Sequence, residues 1–205
     1  MNVAADLQPI VRPLDAEVAP VTVIERDAGL DEPMRAAAAR LRVSTESAEI
    51  TAAVRTMYKR VGLDPTKTRP SSEALLRRVR RGDELPRINS LVDIINWCSV
   101  ESQLPFGLYD LEHIRRPVTL RLGRDGEEYA GIRKDAVHVA GRLTLADEIG
   151  PFGNPTSDSA RTMVTCATIR ALVVIFVPAP LALEVGREAL ALTLARIETY
   201  CRVDQ

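Results

Sequence analysis

Aromatic side chains are scarce, at 4% of 205 residues. Aliphatic groups must therefore fill any core, and the scarcity argues against a row of aromatic platforms for stacking bases. Histidine is scarcer, with only His113 and His138, too few for most His-dependent catalytic schemes. Cys98, Cys166 and Cys201 are isolated and odd in number, with no C-x-x-C and no ligand-like spacing to either histidine. That pattern argues against a metal centre and suits reduced thiols in a cytoplasmic protein. The longest apolar run, Ala171 to Val177, stops at Pro178 and is far too short to span a membrane. No basic stretch followed by an apolar run opens the chain, so no signal peptide is read. G-x-S-x-G, Walker A and G-x-G-x-x-G are all missing, and nothing calls for a cofactor. A net charge of −1 excludes a strongly basic protein.

What is present is an ordinary globular composition, 46% hydrophobic and 27% charged, at a length that suits one domain. Residues 1–20 hold three prolines and little periodicity, and read as a loosely ordered lead to a domain over 21–205. Charge is unevenly spread. Residues 1–32 hold two arginines against seven acids, a net −5, whereas residues 55–87 hold ten Lys/Arg against four acids, a net +6.

Val21–Ile24 reads as a first strand. Asp31-Glu32-Pro33 opens an Ala-rich helix to about Arg40, and Ser44-Thr45-Glu46 caps a second to about Arg60. Pro70-Ser71-Ser72 starts a third, on which Leu75, Leu76 and Val79 form the apolar stripe. Arg77, Arg78, Arg80 and Arg81 on that helix suit phosphate contacts, because guanidinium forks match phosphate oxygens. A solvated arginine-rich face with no ligand accounts for them equally well. Further strands are expected at Val118–Leu122, Glu128–Ile132, Ala136–Ala140, Arg142–Ala146, Arg161–Thr165 and Leu172–Val177, with a hairpin at Gly123-Arg124-Asp125-Gly126. A final amphipathic helix begins near Leu181. Helices, then strands, then a helix predict an α+β domain with a mostly antiparallel central sheet flanked by helices.

Two segments hold the candidate site. From Asn89 to Val100 runs an apolar helix with Asn89, Asp93 and Asn96 at i, i+4 and i+7, hence on one face. Asn96 is expected to orient a polar ligand through its amide, and Asp93 either to join it or to brace neighbouring backbone N–H groups. From Ala146 to Ser159 runs a long Gly/Pro-rich polar loop, read as a pocket wall or as a plain connection between strands. Gly153, Asn154, Thr156 and Asp158 lie in it, and Arg161 follows, free to hold a phosphate or carboxylate or to pair with Asp158.

Asn89-Ser-Leu-Val92-Asp93-Ile-Ile-Asn96 and the later Gln103-Leu104-Pro105-Phe106-Gly107-Leu108-Tyr109-Asp110-Leu111-Glu112-His113-Ile114 carry a resemblance. So do Arg69 to Arg78 upstream and Gly126-Glu127, Leu145-Ala146-Asp147 and Gly150-Pro151-Phe152-Gly153 downstream. In order and spacing, residues 45 to 200 resemble the B3/B4 domain of the phenylalanyl-tRNA synthetase beta subunit, in its free-standing form. The resemblance implies an editing domain that hydrolyses mischarged tRNA, with the terminal adenosine and amino acid in a cleft between Asn96, Gly107 and the 146–159 loop. It also implies tRNA as partner. The pocket histidine of that family falls at Gly107, its threonine at Ile95, and its glutamate at Thr156 or near Asp158. Tyrosine specificity is therefore not expected, and Gly107 is expected to leave open space. The alternatives are a non-catalytic RNA- or metabolite-binding module and a protein-interaction domain using the last helix.

Overall fold

In the computed structural model, residues 1–44, 48–132 and 134–201 are described. In chain order the strands are β1 (Asn2–Val3), β2 (Val11–Val18), β3 (Phe106–Asp110), β4 (Thr119–Leu122), β5 (Glu128–Gly131), β6 (Lys134–His138), β7 (Leu143–Ala146), β8 (Pro151–Gly153) and β9 (Ala171–Pro178). The helices are α1 (Asp31–Val43), α2 (Ala48–Arg60), α3 (Ser71–Arg80), α4 (Ser90–Ser102) and α5 (Leu183–Cys201). The apolar run at 171–178 becomes β9, buried along its whole length. It is the middle strand of an antiparallel sheet ordered β2-β9-β3. A strand buried on both faces is what a continuous Val/Ile/Leu run without alternation specifies. A second sheet, β1-β4-β7-β8, is antiparallel except for the β1–β4 pair, and β5 pairs with β6 as a separate hairpin. The class is α+β, as expected, although the strands divide between two sheets and a hairpin.

Four local readings are corrected. Residues 1–20 are not a loose lead: β2 pairs with β9 over eight residues, from Val11↔Pro178 to Val18↔Ala171. Pro13 is tolerated there because β2 is an edge strand with one partner. Val21–Ile24 is extended but pairs with no strand. Val21 N donates to Ile169 O, Thr22 N to Cys201 O, and Ile24 N to the Ser90 hydroxyl. Arg161–Thr165 is a turn, its backbone engaged by Asp110 N, the Asn89 amide and Thr168 Oγ1 rather than by a ladder. Finally, Gly123–Gly126 does turn, with Gly126 at φ +77° and Glu127 N donating to Arg124 O. It does not pair its flanking strands, because β4 pairs with β7 and β5 with β6. The cap expected at Thr45 and Glu46 lies outside the described residues.

Helix α4 is the central helix, with nine of its thirteen side chains buried. Asn89 caps it by accepting from Val92 N at 2.9 Å, and Gln103 ends it in the left-handed conformation at φ 58°. It packs against α3, α5 and β3. Among the described residues no helix is long and apolar enough to cross a membrane.

Candidate functional site

Between α3, α4, β3 and the segment 158–164 lies a cavity of about 330 Å³. Helix α4 presents Val92, Ile95, Asn96 and Ser99 to it, the stripe at i, i+3, i+4 and i+7. Strand β3 presents Phe106 and Leu108, and α3 presents Ser71 and Leu75. Met163 and Val164 close the far wall, while Ile88, Ile132 and Met163 form its rim and are 46%, 37% and 38% exposed. The walls are apolar. The polar side chains on them are Ser71, Asn96, Ser99 and Asp158.

Of those four, Ser99 is engaged, its Oγ donating to Leu104 O at 2.7 Å. The Ser71 hydroxyl and Asp158 Oδ1 are buried and make no hydrogen bond of ordinary geometry among the described residues. Buried polar groups are paired almost without exception, so two orphans in one cavity point to a bound group that completes them. Burial drives the Asp158 carboxyl up to about 7, with the nearby Tyr109 phenol opposing the shift. The backbone of Asp158 is fixed, its carbonyl accepting from Ile132 N at 3.2 Å and its residue bridging Gly153.

Other expected site residues lie elsewhere. Asn89 is the cap of α4, and its amide donates to Val164 O at 3.4 Å. Asp93, 0% exposed, accepts from Ile88 N at 2.7 Å and pairs with Arg87 Nε at 2.6 Å, the bracing role allowed for it. Arg87 also pairs with Asp31, so the carboxylate anchors the entry to α4. Asn154 holds the glycine-rich loop together: its Oδ1 accepts from Thr156 N and Ser157 N, and its Nδ2 donates to the Tyr129 hydroxyl. Thr156 bonds the Tyr58 hydroxyl at 2.8 Å, away from the cavity. Arg161 pairs with Asp147 at 3.0 Å through both terminal nitrogens and donates to His113 O, so it neither pairs with Asp158 nor points at a ligand. Burial raises the Asp147 carboxyl, but Arg161 and the backbone N–H groups of Arg115 and Gly150 outweigh it and hold the group below its usual value.

Gly107 does not leave open space. A Cβ there would stand 2.2 Å from the Tyr109 hydroxyl and 2.7 Å from its ring, and one on Gly153 would stand 2.3 Å from the same hydroxyl. The two glycines clasp the fully buried Tyr109, which meets the edge of Phe152 with ring centres 4.9 Å apart. Strand alternation explains the miss: Phe106 and Leu108 face the cavity, so Gly107 and Tyr109 face the other way. Sequence reading also passed over Ser71, Leu75, Ile88 and Met163. The 92/95/96/99 stripe and the 106/108 alternation were the signals that could have found the rest.

All the cavity-lining residues lie inside the segment 53–194, which matches the B3/4 domain family. This chain belongs to the B3/4 domain family. Among relatives, the phenylalanine–tRNA ligase beta subunit of Paramagnetospirillum magneticum is 32% identical across 38% of this chain and 11% of its own length. That of Brucella abortus is 31% identical across 42% of this chain and 11% of its own. The chain thus spans about a tenth of the length of the relatives it matches. The crystal structure of an N-terminal fragment of the phenylalanyl-tRNA synthetase beta-subunit from Pyrococcus horikoshii superposes with a TM-score of 0.51 at 13% identity. That match covers 97% of this B3/4 chain and 48% of the fragment, and it shows a shared fold.

Arg77, Arg78 and Arg80 of α3, and Arg81 at its C-cap, are all exposed. Arg78 donates to Glu84 O, Arg80 to Ser44 O, and Arg81 pairs with Asp83. They sit roughly 9 to 15 Å along the helix axis from Ser71, at the end away from the cavity.

Proposed function

We propose that this B3/4 protein is a trans-acting deacylase, hydrolysing the ester of a mischarged aminoacyl-tRNA with the amino acid in the α3–α4–β3 cavity. The observation that carries the reading is the cavity itself: apolar walls around the unpartnered Ser71 hydroxyl and Asp158 Oδ1, with the Asn96 amide on the same wall. Such a site binds an apolar side chain and presents a few polar groups to the atoms beside it. An aminoacyl ester is activated enough that a positioned water, polarised by the terminal ribose hydroxyl, can attack without a triad. Asn96 and Ser71 would orient the carbonyl. The arginines of α3 would meet the phosphate backbone, which dominates nucleic-acid affinity.

A second reading, a non-catalytic module binding RNA or a small metabolite, is favoured by one observation. Among the described residues no hydrogen-bonded nucleophile–base pair lines the cavity, and Thr156 and Arg161 are committed to internal bonds. Incubation with a panel of misacylated tRNAs separates the two. Release of the amino acid from at least one species, above the uncatalysed rate, supports the deacylase. RNA binding with no release from any species supports the module.

A further inference from the structure

We infer that the cavity recognises a primary ammonium group next to an apolar side chain, with Asp158 as its counter-ion; under the proposed function this is the α-ammonium of an apolar aminoacyl group. Asp158 Oδ1 is buried and makes no hydrogen bond of ordinary geometry among the described residues; the Tyr109 phenol beside it is a neutral donor that cannot balance its charge. Among the described residues, Arg161, three positions on in the chain, is engaged by Asp147 and does not reach it. Asp158 is the sole charged side chain among the described residues of the lining. A carboxylate in such a place is costly alone and strongly attractive to a small cation that brings its own N–H donors. Among the described residues no three His, Cys, Asp or Glu side chains gather as a metal would require, so a singly charged donor fits better than a divalent ion. A guanidinium asks for two open carboxylate oxygens and a flat slot, whereas an ammonium is compact and needs one. The adjoining walls, Ile95, Leu108, Met163 and Val164, supply the apolar surface for a side chain beside that cation.

The electrostatic surroundings agree. The ionisable groups facing Asp158 are the phenols of Tyr109 from β3 and Tyr129 from β5, both raised chiefly by burial and therefore neutral. With the Asp158 carboxyl near 7, ionisation and cation binding are linked, and affinity rises as pH rises through that value.

The test uses the intact protein with L-leucinamide and N-acetyl-L-leucinamide, followed by NMR titration. The amide is expected to bind with an affinity about tenfold or more above its acetylated form at about pH 7.5. The preference is expected to vanish in Asp158→Asn, and in the wild type at about pH 5.5, where the ligand amine stays protonated and the Asp158 carboxyl has become neutral. Equal binding of both compounds by the wild type, or no saturable binding of leucinamide, overturns the inference. The acetylation and pH comparisons need no variant, so poor folding of Asp158→Asn leaves the test intact. Leucinamide binding without tRNA deacylation would refute the hydrolase and leave this inference standing. Deacylation by a cavity indifferent to acetylation would do the reverse.

Discussion

Replacing Gly107 by alanine is expected to destabilise the protein strongly although it adds a single methyl group. The new Cβ would lie 2.2 Å from the Tyr109 hydroxyl and 2.7 Å from two ring carbons. The ring cannot retreat, because Gly153 stands equally close on its other side and Phe152 packs against it. Overpacking a filled core costs about 1–3 kcal/mol, and the rigid ring puts this case at the upper end, about 3 kcal/mol. For a domain of this size that corresponds to a fall in Tm of roughly 6–12 °C. Tyr109→Phe removes the nearest atom and a hydroxyl that has no hydrogen bond of ordinary geometry, so alone it should cost little. The double variant should recover part of the loss, giving a favourable coupling in a thermodynamic cycle. Urea denaturation of the four proteins measures all these quantities. A Gly107→Ala variant as stable as the wild type, or a double variant whose costs simply add, refutes the clasp around Tyr109.

Asp93→Ala strands Arg87 beside a buried cavity and should cost about 3 kcal/mol, against about 1 kcal/mol for loss of the cap in Asn89→Ala; urea midpoints rank them. Because the Asp158 carboxyl is raised to about 7, its neutral form favours folding. Stability from this group is full below its unfolded value near 3.8 and is lost as pH rises toward 7. The wild type should therefore lose stability relative to Asp158→Asn between about pH 4 and pH 7, and melts that run parallel over that range contradict the assignment. If α3 meets RNA, alanine at Arg77, Arg78, Arg80 or Arg81 should lower the salt slope of binding by roughly one unit for each phosphate no longer neutralised. Unchanged affinity in the quadruple variant would make α3 a plain solvated face.

The class and the helices were legible because periodicity and caps are local: α1 begins at Asp31 and α3 runs from Ser71 to Arg80, close to where Pro33, Pro70 and Gly82 place them, and α4 begins at its Asn89 cap. Local signals fail where a partner far away in sequence decides. Residues 11–18 form a strand because β9 is there to receive them, and Pro13, with Pro9 and Pro20 on either side, hid it. Val21–Ile24 and Arg161–Thr165 have strand composition, but caps and loop bonds claim their backbone groups instead. At the site, Asn96 and Asp158 were found from residue type. Asn89, Asp93 and Arg161 were not separable from ligand-binding groups by sequence, because a cap, a brace and an ion pair use the same residue types as a binding site. Gly107 was read on the wrong face of β3, an error of one residue in a period of two.

The central claim is that the aminoacyl group enters the cavity between α3, α4 and β3. Methyl-resolved NMR with a non-hydrolysable analogue, 3′-aminoacylamino-3′-deoxyadenosine, tests it most directly. The account predicts that the largest shifts fall on Val92, Ile95, Leu108 and Met163. Shifts confined to Met34, Ala38 and Leu85, which line a separate arginine-bordered cavity, or no shift at any of these methyl groups, would contradict it.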